Sequence, residues 1–171
     1  MNTAPAPGTT WSFLGFDSAG WATILTGVIA VFIFLLGYLL QRRHARRDER
    51  SKMFAEALQA VEDYLEAPYL IRRRDGSAPA RMDLVRHISS IQSRIEFYRA
   101  WLAIHAKPAV HEAYDAFVVA AKKEAGAQMT IEWKSRPTRR DHDVPIDRPY
   151  SRRDADQARL RVLRAMSVSL R

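Results

Sequence analysis

The run Arg139-Arg140-Asp141-His142-Asp143 holds the residue types that come nearest to chemistry. Two carboxylates around an imidazole are donors that a divalent metal takes, and the same trio can move protons near neutral pH. Consecutive residues of an extended segment project alternately to opposite sides, however, so the three converge only through a special turn. The spacing therefore favours a solvated loop whose acids pair with neighbouring arginines. His87, His105 and His111 lie in or beside segments of helical period, and His105 follows the heptad step from Leu102 to the edge of a core. The chain contains no HExxH and no ExxH, so the usual helical metal spacings are missing. GxSxG, P-loop and GxGxxG patterns are missing too. Glu62-Asp63 and Glu66 sit among basic residues and read as a hydrated helix face. With no cysteine, thiol chemistry, disulfides and Cys-ligated zinc are excluded, which suits a reducing compartment. No catalytic set, metal set or cofactor motif is left, and the chain reads as non-enzymatic.

Arginine is the chemistry that remains. Arg72, Arg73 and Arg74, then Arg136, Arg139 and Arg140, fall in connecting segments, while Arg161 and Arg164 fall near the C-terminus. These eight are candidates for contact with an anion or a partner. Net charge is +8, and because residues 1–40 hold one acid and no base, the remainder stands at +9. Such a balance suits an anionic surface. Lipid headgroups of an inner leaflet are the nearest one, worth about 1 kcal/mol per basic group. Nucleic acid is the alternative, although base-stacking aromatics are sparse among the Arg-rich loops.

The element that would position everything else is WATILTGVIAVFIFLLGYLL, residues 21–40. As a helix it measures roughly 30 Å, the thickness of a bilayer's hydrocarbon core. Twelve of its residues are Leu, Ile, Val or Phe, and at about −0.5 kcal/mol each they favour insertion by on the order of 6 kcal/mol. A signal peptide would begin with a basic region and end on small residues, and this stretch does neither. Arg42, Arg43, Arg46 and Arg47 follow it, against Asp17 alone before it. The positive-inside rule then places residues 1–20 outside as a short extracytoplasmic tail and the rest in the cytoplasm. Within the span Ala22, Thr26 and Ala30 recur every four residues, a spacing that lets a second copy pack closely.

Beyond the span, no Gly or Pro interrupts the chain from Tyr38 to Ala67, so the helix can continue. Phe54, Leu58, Val61 and Leu65 form one apolar stripe. Pro68 breaks the pattern, and IRRRDGSAPAR reads as a polar connection. Leu84, Ile88, Ile91, Ile95, Tyr98 and Leu102 make a heptad seam that must pack on other helices. Pro108 suits the first turn of a third helix carrying Val110, Tyr114, Phe117 and Ala121, with Gly126 as its stop. AQMTIEW is open between strand and helix. KSRPTRRDHDVPIDRPYSRRD reads as extended or mobile, pinned by Trp133, Ile146 and Tyr150. Ser151 and Asp154 resemble a capping box, after which Ala155, Ala158, Val162, Met166 and Leu170 form an apolar side opposite Arg161 and Arg164.

The segments AVEDYLEAPYLIRRR, SSIQSRIEFYRAWL, AYDAFVVAAKKEAGAQM and RPTRRDHDVP, behind an N-terminal anchor, resemble small single-pass membrane proteins of actinobacteria and their mobile elements. The resemblance covers most of residues 40–166. It implies the layout, is compatible with exclusion or transfer at a host membrane, and brings no catalytic residues.

The expected architecture is all-α. It has a transmembrane helix at 21–40, a cytoplasmic antiparallel hairpin or three-helix bundle at 41–126, an irregular basic, Pro-rich segment at 127–153 and an amphipathic helix at 154–171. That last helix either docks on a partner, folds back on the bundle or lies on the leaflet. The expected function is a membrane-anchored recruitment or sensing module with a protein partner, with or without self-association. Its alternatives are a membrane-tethered nucleic-acid binder and an enzyme built around Asp141-His142-Asp143.

Overall fold

From Phe54 onward apolar residues recur three and four apart, and each such run forms a helix whose stripe is covered by its neighbours. The computed structural model describes the backbone of residues 18–138, 140, 143–144 and 149–171, and their side chains apart from those of 18–25, 40, 43, 44 and 46. The regular elements are α1 (Ser18–Arg72), α2 (Ala78–His105), α3 (Pro108–Lys134) and α4 (Arg153–Ser169). No strand occurs among the described residues. The chain divides into two units, 1–47 and 48–171.

The second unit is a bundle of four helices, one more than the expected hairpin or trio. Tyr98 donates to Glu56 and Arg94 pairs with Asp63, so α2 runs antiparallel to residues 48–72 of α1. Arg99–Asp115 and Lys122–Glu96 set α3 antiparallel to α2. Lys123–Asp154 joins α3 to the start of α4, which returns alongside both α3 and α1. Across the centre the Tyr114 hydroxyl, driven by burial above its ordinary pKa, donates to the Ala57 carbonyl at 3.1 Å. The core holds Val61 and Leu65 of α1, Ile91, Ile95 and Leu102 of α2, Val110 and Phe117 of α3, and Val162 of α4, each no more than 1% exposed. Ala155, Ala158, Val162 and Met166 are all buried, so the apolar side of α4 is spent on the bundle.

Several boundaries differ from expectation for physical reasons. Pro68 does not end α1, which continues to Arg72. A proline inside a helix weakens the local hydrogen-bond ladder; here the Tyr150 hydroxyl donates to the Leu65 carbonyl at 2.6 Å, and Ala67 and Ile71 are fully buried beside it. Gly126 does not stop α3 either. The seam runs on through Ala125, Met129 and Glu132, and burying it outweighs a glycine's cost of about 1 kcal/mol. Residues 127–134, expected to be irregular, are therefore helical, AQMTIEW included. Pro108 opens α3 as expected. The capping box is not formed: α4 has no side-chain cap from Arg152, its N-cap residue, and instead the Glu124 carboxylate accepts from the Asp154 and Ala155 amides at 3.0 Å each.

The first unit contains residues 18–47 of α1. Val28, Ile29, Val31, Phe32, Ile33, Phe34, Leu35, Leu36, Tyr38 and Leu39 are all at least half exposed, Phe34 at 73%. Ten large residues within twelve positions cover every side of a helix. Among the described residues no helix is long and apolar enough to cross a membrane. Described side chains of the apolar run cover 26–39, which rise about 21 Å. Those at 21–25 and 40 lie outside the described set.

Candidate functional site

The arginine triplet after α1 separates into three different environments. Arg72, the last residue of α1, is 8% exposed and donates through Nε and Nη2 to the same Glu132 oxygen, at 3.0 and 2.6 Å. Gln128, one turn earlier on α3, donates to that oxygen at 2.7 Å. The hydrogen bond to Glu132 raises the Arg72 pKa despite burial. Burial pushes the Glu132 carboxyl up, but the hydrogen bonds from Arg72 and Gln128, with the charges of Arg72 and Arg74, hold it below the ordinary carboxylate value.

Arg74 is also buried and serves carbonyls. Its guanidinium donates to Ile71, Glu132, Trp133 and Ser135 at 2.6–3.1 Å and lies 5.1 Å from the Trp133 ring centre. Carbonyls in the last turn of a helix lack helical donors, and one side chain supplies them for α1 and α3 together. The loops beyond are stitched by the Thr138 amide donating to Arg74 and the Thr138 hydroxyl donating to Arg72. Gly76 has φ +84°, and a Cβ there would stand 2.7 Å from Pro137, so the crossing requires glycine. Arg72 and Arg74 were candidates for an outside anion; their guanidiniums are committed inside the bundle. Arg73 alone of the triplet is exposed.

Arg136 and Arg140 are exposed at this same end of the bundle. Arg136 borders a cleft of about 440 Å³ that Arg72, Glu132, Thr138, Asp143 and Tyr150 also line. Asp143 is exposed, whereas Arg139, Asp141 and His142 lie outside the described residues, and with them the Asp-His-Asp trio. Among the described residues no group of three His, Cys, Asp or Glu could hold a metal ion. The cleft combines one neutralised ion pair, one exposed guanidinium and one exposed carboxylate. Ser135 and Gln128 complete its polar lining.

The other candidates are dispersed. Arg161 and Arg164 are exposed on the outer face of α4. Arg42 and Arg47 are exposed on α1, and the side chains of Arg43 and Arg46 lie outside the described set. Thr26 and Ala30 are exposed; Ala22 has no described side chain.

Some residues important to this geometry escaped the sequence reading. Glu62, assigned there to a hydrated face, takes Arg152, the N-cap residue of α4, and Arg159 within that helix, each at 2.7 Å. Glu132 sits on the continuation of the α3 seam, seven residues after Ala125 and three after Met129. Extending that heptad past Gly126 would have flagged a buried acid in need of a cation. Comparison with protein-family models, curated proteins and solved structures finds no match to the chain.

Proposed function

We propose that the chain is a single-pass membrane protein, its N-terminus outside and its helical bundle in the cytoplasm, and that the bundle is a non-enzymatic module recruiting or sensing a protein partner. The observation that carries this is the apolar girdle of Val28 to Leu39, exposed on every side of α1. A water-facing patch of that extent is a liability, whereas hydrocarbon on all sides covers it. In sequence the girdle extends to Trp21 and Leu40 and then meets Arg42, Arg43, Arg46 and Arg47, which is the flank pattern that retains a segment inside.

Within the bundle, charges that a binding site could have used are paired internally: Arg72 with Glu132, Arg152 with Glu62, Arg94 with Asp63. The exposed guanidiniums of Arg73, Arg136 and Arg140 gather where α1 and α3 end. That end lies opposite residue 48, roughly 36 Å along α1. An acidic protein surface suits them. Alkaline carbonate extraction of membranes tests the anchor: retention in the pellet is expected, and release into the supernatant overturns it.

The same three arginines support a second reading, a membrane-tethered nucleic-acid binder. With Arg72 and Arg74 committed internally, its cationic footprint is smaller than the triplet suggested. Salt titration of the reconstituted chain against duplex DNA and RNA separates the readings. A steep loss of binding with salt would favour nucleic acid, and no binding at low salt removes it.

A further inference from the structure

The last turns of α2 carry apolar residues on a face beside the buried seam. Phe97 and Ile104 are 57% and 74% exposed, and Trp101 between them is half-buried. Steps of four and three put these residues on one line of the helix. Backward along that line stand Ser93, Ser90 and Arg86, so the apolar part is confined to the C-terminal end of α2. That end meets α1 where the chain enters the bundle. Arg50 and Phe54 of α1 join Trp101, His105 and Lys107 around a cavity of about 270 Å³, and the Trp101 and His105 rings lie 5.0 Å apart. Among the described residues no acid lines this cavity. Arg50 and Lys107 are exposed, and unlike Arg94, Arg99 and Lys122 they enter no ion pair among the described residues.

Place in the chain and charge both bear on what covers this face. Only residues 41–47 separate Leu40 from the bundle, and seven residues reach about 25 Å even when fully extended. A face beside Arg50 is thus held close to the leaflet from which an anchor at 21–40 emerges, and a weak contact there becomes effectively intramolecular. Residues 41–52 hold six Arg and Lys against Asp48 and Glu49. On α2 the positions three and four away from Phe97, Trp101 and Ile104 include Arg94, His105 and Lys107 and no acid. Apolar and aromatic side chains rimmed by cations suit a surface that lies in a headgroup layer.

We propose that this face is a second membrane contact: Phe97, Trp101 and Ile104 enter the headgroup layer of an anionic leaflet, and a lipid phosphate is taken by Arg50 and Lys107 at the cavity. The contact rests on the reading of residues 21–40 as an anchor, since the short tether is what holds the face at the leaflet. Guanidinium and ammonium groups both donate to phosphate oxygens, and an indole, with an apolar body and a polar N–H, suits the boundary between acyl chains and water. Each cation at such a surface raises the ratio of docked to free faces about fivefold. Docking by this end of the bundle leaves Arg73, Arg136 and Arg140, at the opposite end, to a partner in solution.

The cysteine-free chain takes a single environment-sensitive NBD label at Ala100→Cys, an exposed position within the stripe, or at Val119→Cys on α3 as control. The full-length protein is placed in nanodiscs of phosphatidylcholine alone or of phosphatidylcholine mixed with phosphatidylglycerol. Blue-shifted emission at position 100 is expected in the anionic discs and not in the neutral ones, with position 119 at its aqueous emission in both. Arg50→Gln with Lys107→Gln should lower the docked-to-free ratio about 25-fold, and Ile104→Ser should lower it independently. All three side chains are exposed, and circular dichroism checks the fold of each variant. Co-elution with the discs reads the anchor separately. A chain that co-elutes while position 100 keeps its aqueous emission in both discs overturns the contact alone; a chain that does not co-elute overturns the anchor and the contact together. A shift equal in neutral and anionic discs and unmoved by the variants, as for a face seated on a second copy or a partner protein, also overturns the contact, as does an equal shift at position 119.

Discussion

Ile33 and Val119 are almost equally exposed, at 64% and 63%, yet they belong to different kinds of surface. Val119 stands on α3 with Asp115, Lys122 and Lys123 one turn away, a single apolar residue in a charged setting. Such residues are ordinary on proteins in water. Ile33 has Ile29, Ala30, Leu36 and Gly37 as its helical neighbours, and all of them are exposed as well. The same contrast divides α1 itself. From Phe54 to Ile71 the helix hides one apolar side in a bundle, whereas from Val28 to Leu39 it hides none. Exposure of one residue is therefore uninformative; the extent and continuity of the patch identify the solvent the segment needs.

The largest expected effect comes from charging the girdle. Ile33→Lys with Leu36→Lys adds about 3 kcal/mol for each lysine at a helix centre, which cancels the on-the-order-of-6 kcal/mol insertion preference of the run. The double variant should leave the carbonate-resistant membrane fraction while its bundle, if still made, unfolds normally. In the bundle, Phe117→Ala should lower stability by about 3–5 kcal/mol, read from the urea midpoint by tryptophan fluorescence. Membrane retention should not change, and a loss of retention would erase the distinction between the two regions.

Next in size is Glu132→Gln, which leaves Arg72 buried without its counter-charge at a cost of about 3 kcal/mol. The sign of its pH dependence follows from the depressed carboxyl. The Arg72–Glu132 contribution is fully present above the unfolded carboxyl value, about 4.3, and is lost as pH falls through the lower folded value. Urea midpoints measured from pH 7 down to pH 3 should fall on the acid side in the wild type and flatten in Glu132→Gln. The smallest effect is that of Val119→Lys, within about 0.5 kcal/mol and without influence on membrane retention. A large loss there would mean that Val119 is covered by something in the cell.

Much of the bundle was legible because its cause is local. Ile91, Ile95, Tyr98 and Leu102, then Val110, Tyr114, Phe117 and Ala121, repeat at helical spacing, and all eight are buried. The same holds for Ala155, Ala158, Val162 and Met166 on α4. What escaped depends on residues distant in sequence. The Tyr150 hydroxyl reaches the Leu65 carbonyl near Pro68, α4 is capped by Glu124 across a helix interface, and Arg72 meets Glu132 sixty residues away. No window on the sequence contains such pairs. The candidate site was legible as a set of arginines and illegible as a selection among them, since burial decides which guanidiniums are already committed. Conversely, Leu84 and Ile88 keep the heptad period of α2 and yet are only partly buried.

The chain contains no cysteine, so a single introduced thiol reports its own location. Ser12→Cys and Ser151→Cys, each treated in intact cells with a membrane-impermeant maleimide, test the anchor and its orientation together. The account predicts labelling of the first in intact cells and of the second only after lysis. Labelling of Ser151→Cys in intact cells, or recovery of both variants in the soluble fraction, would contradict it.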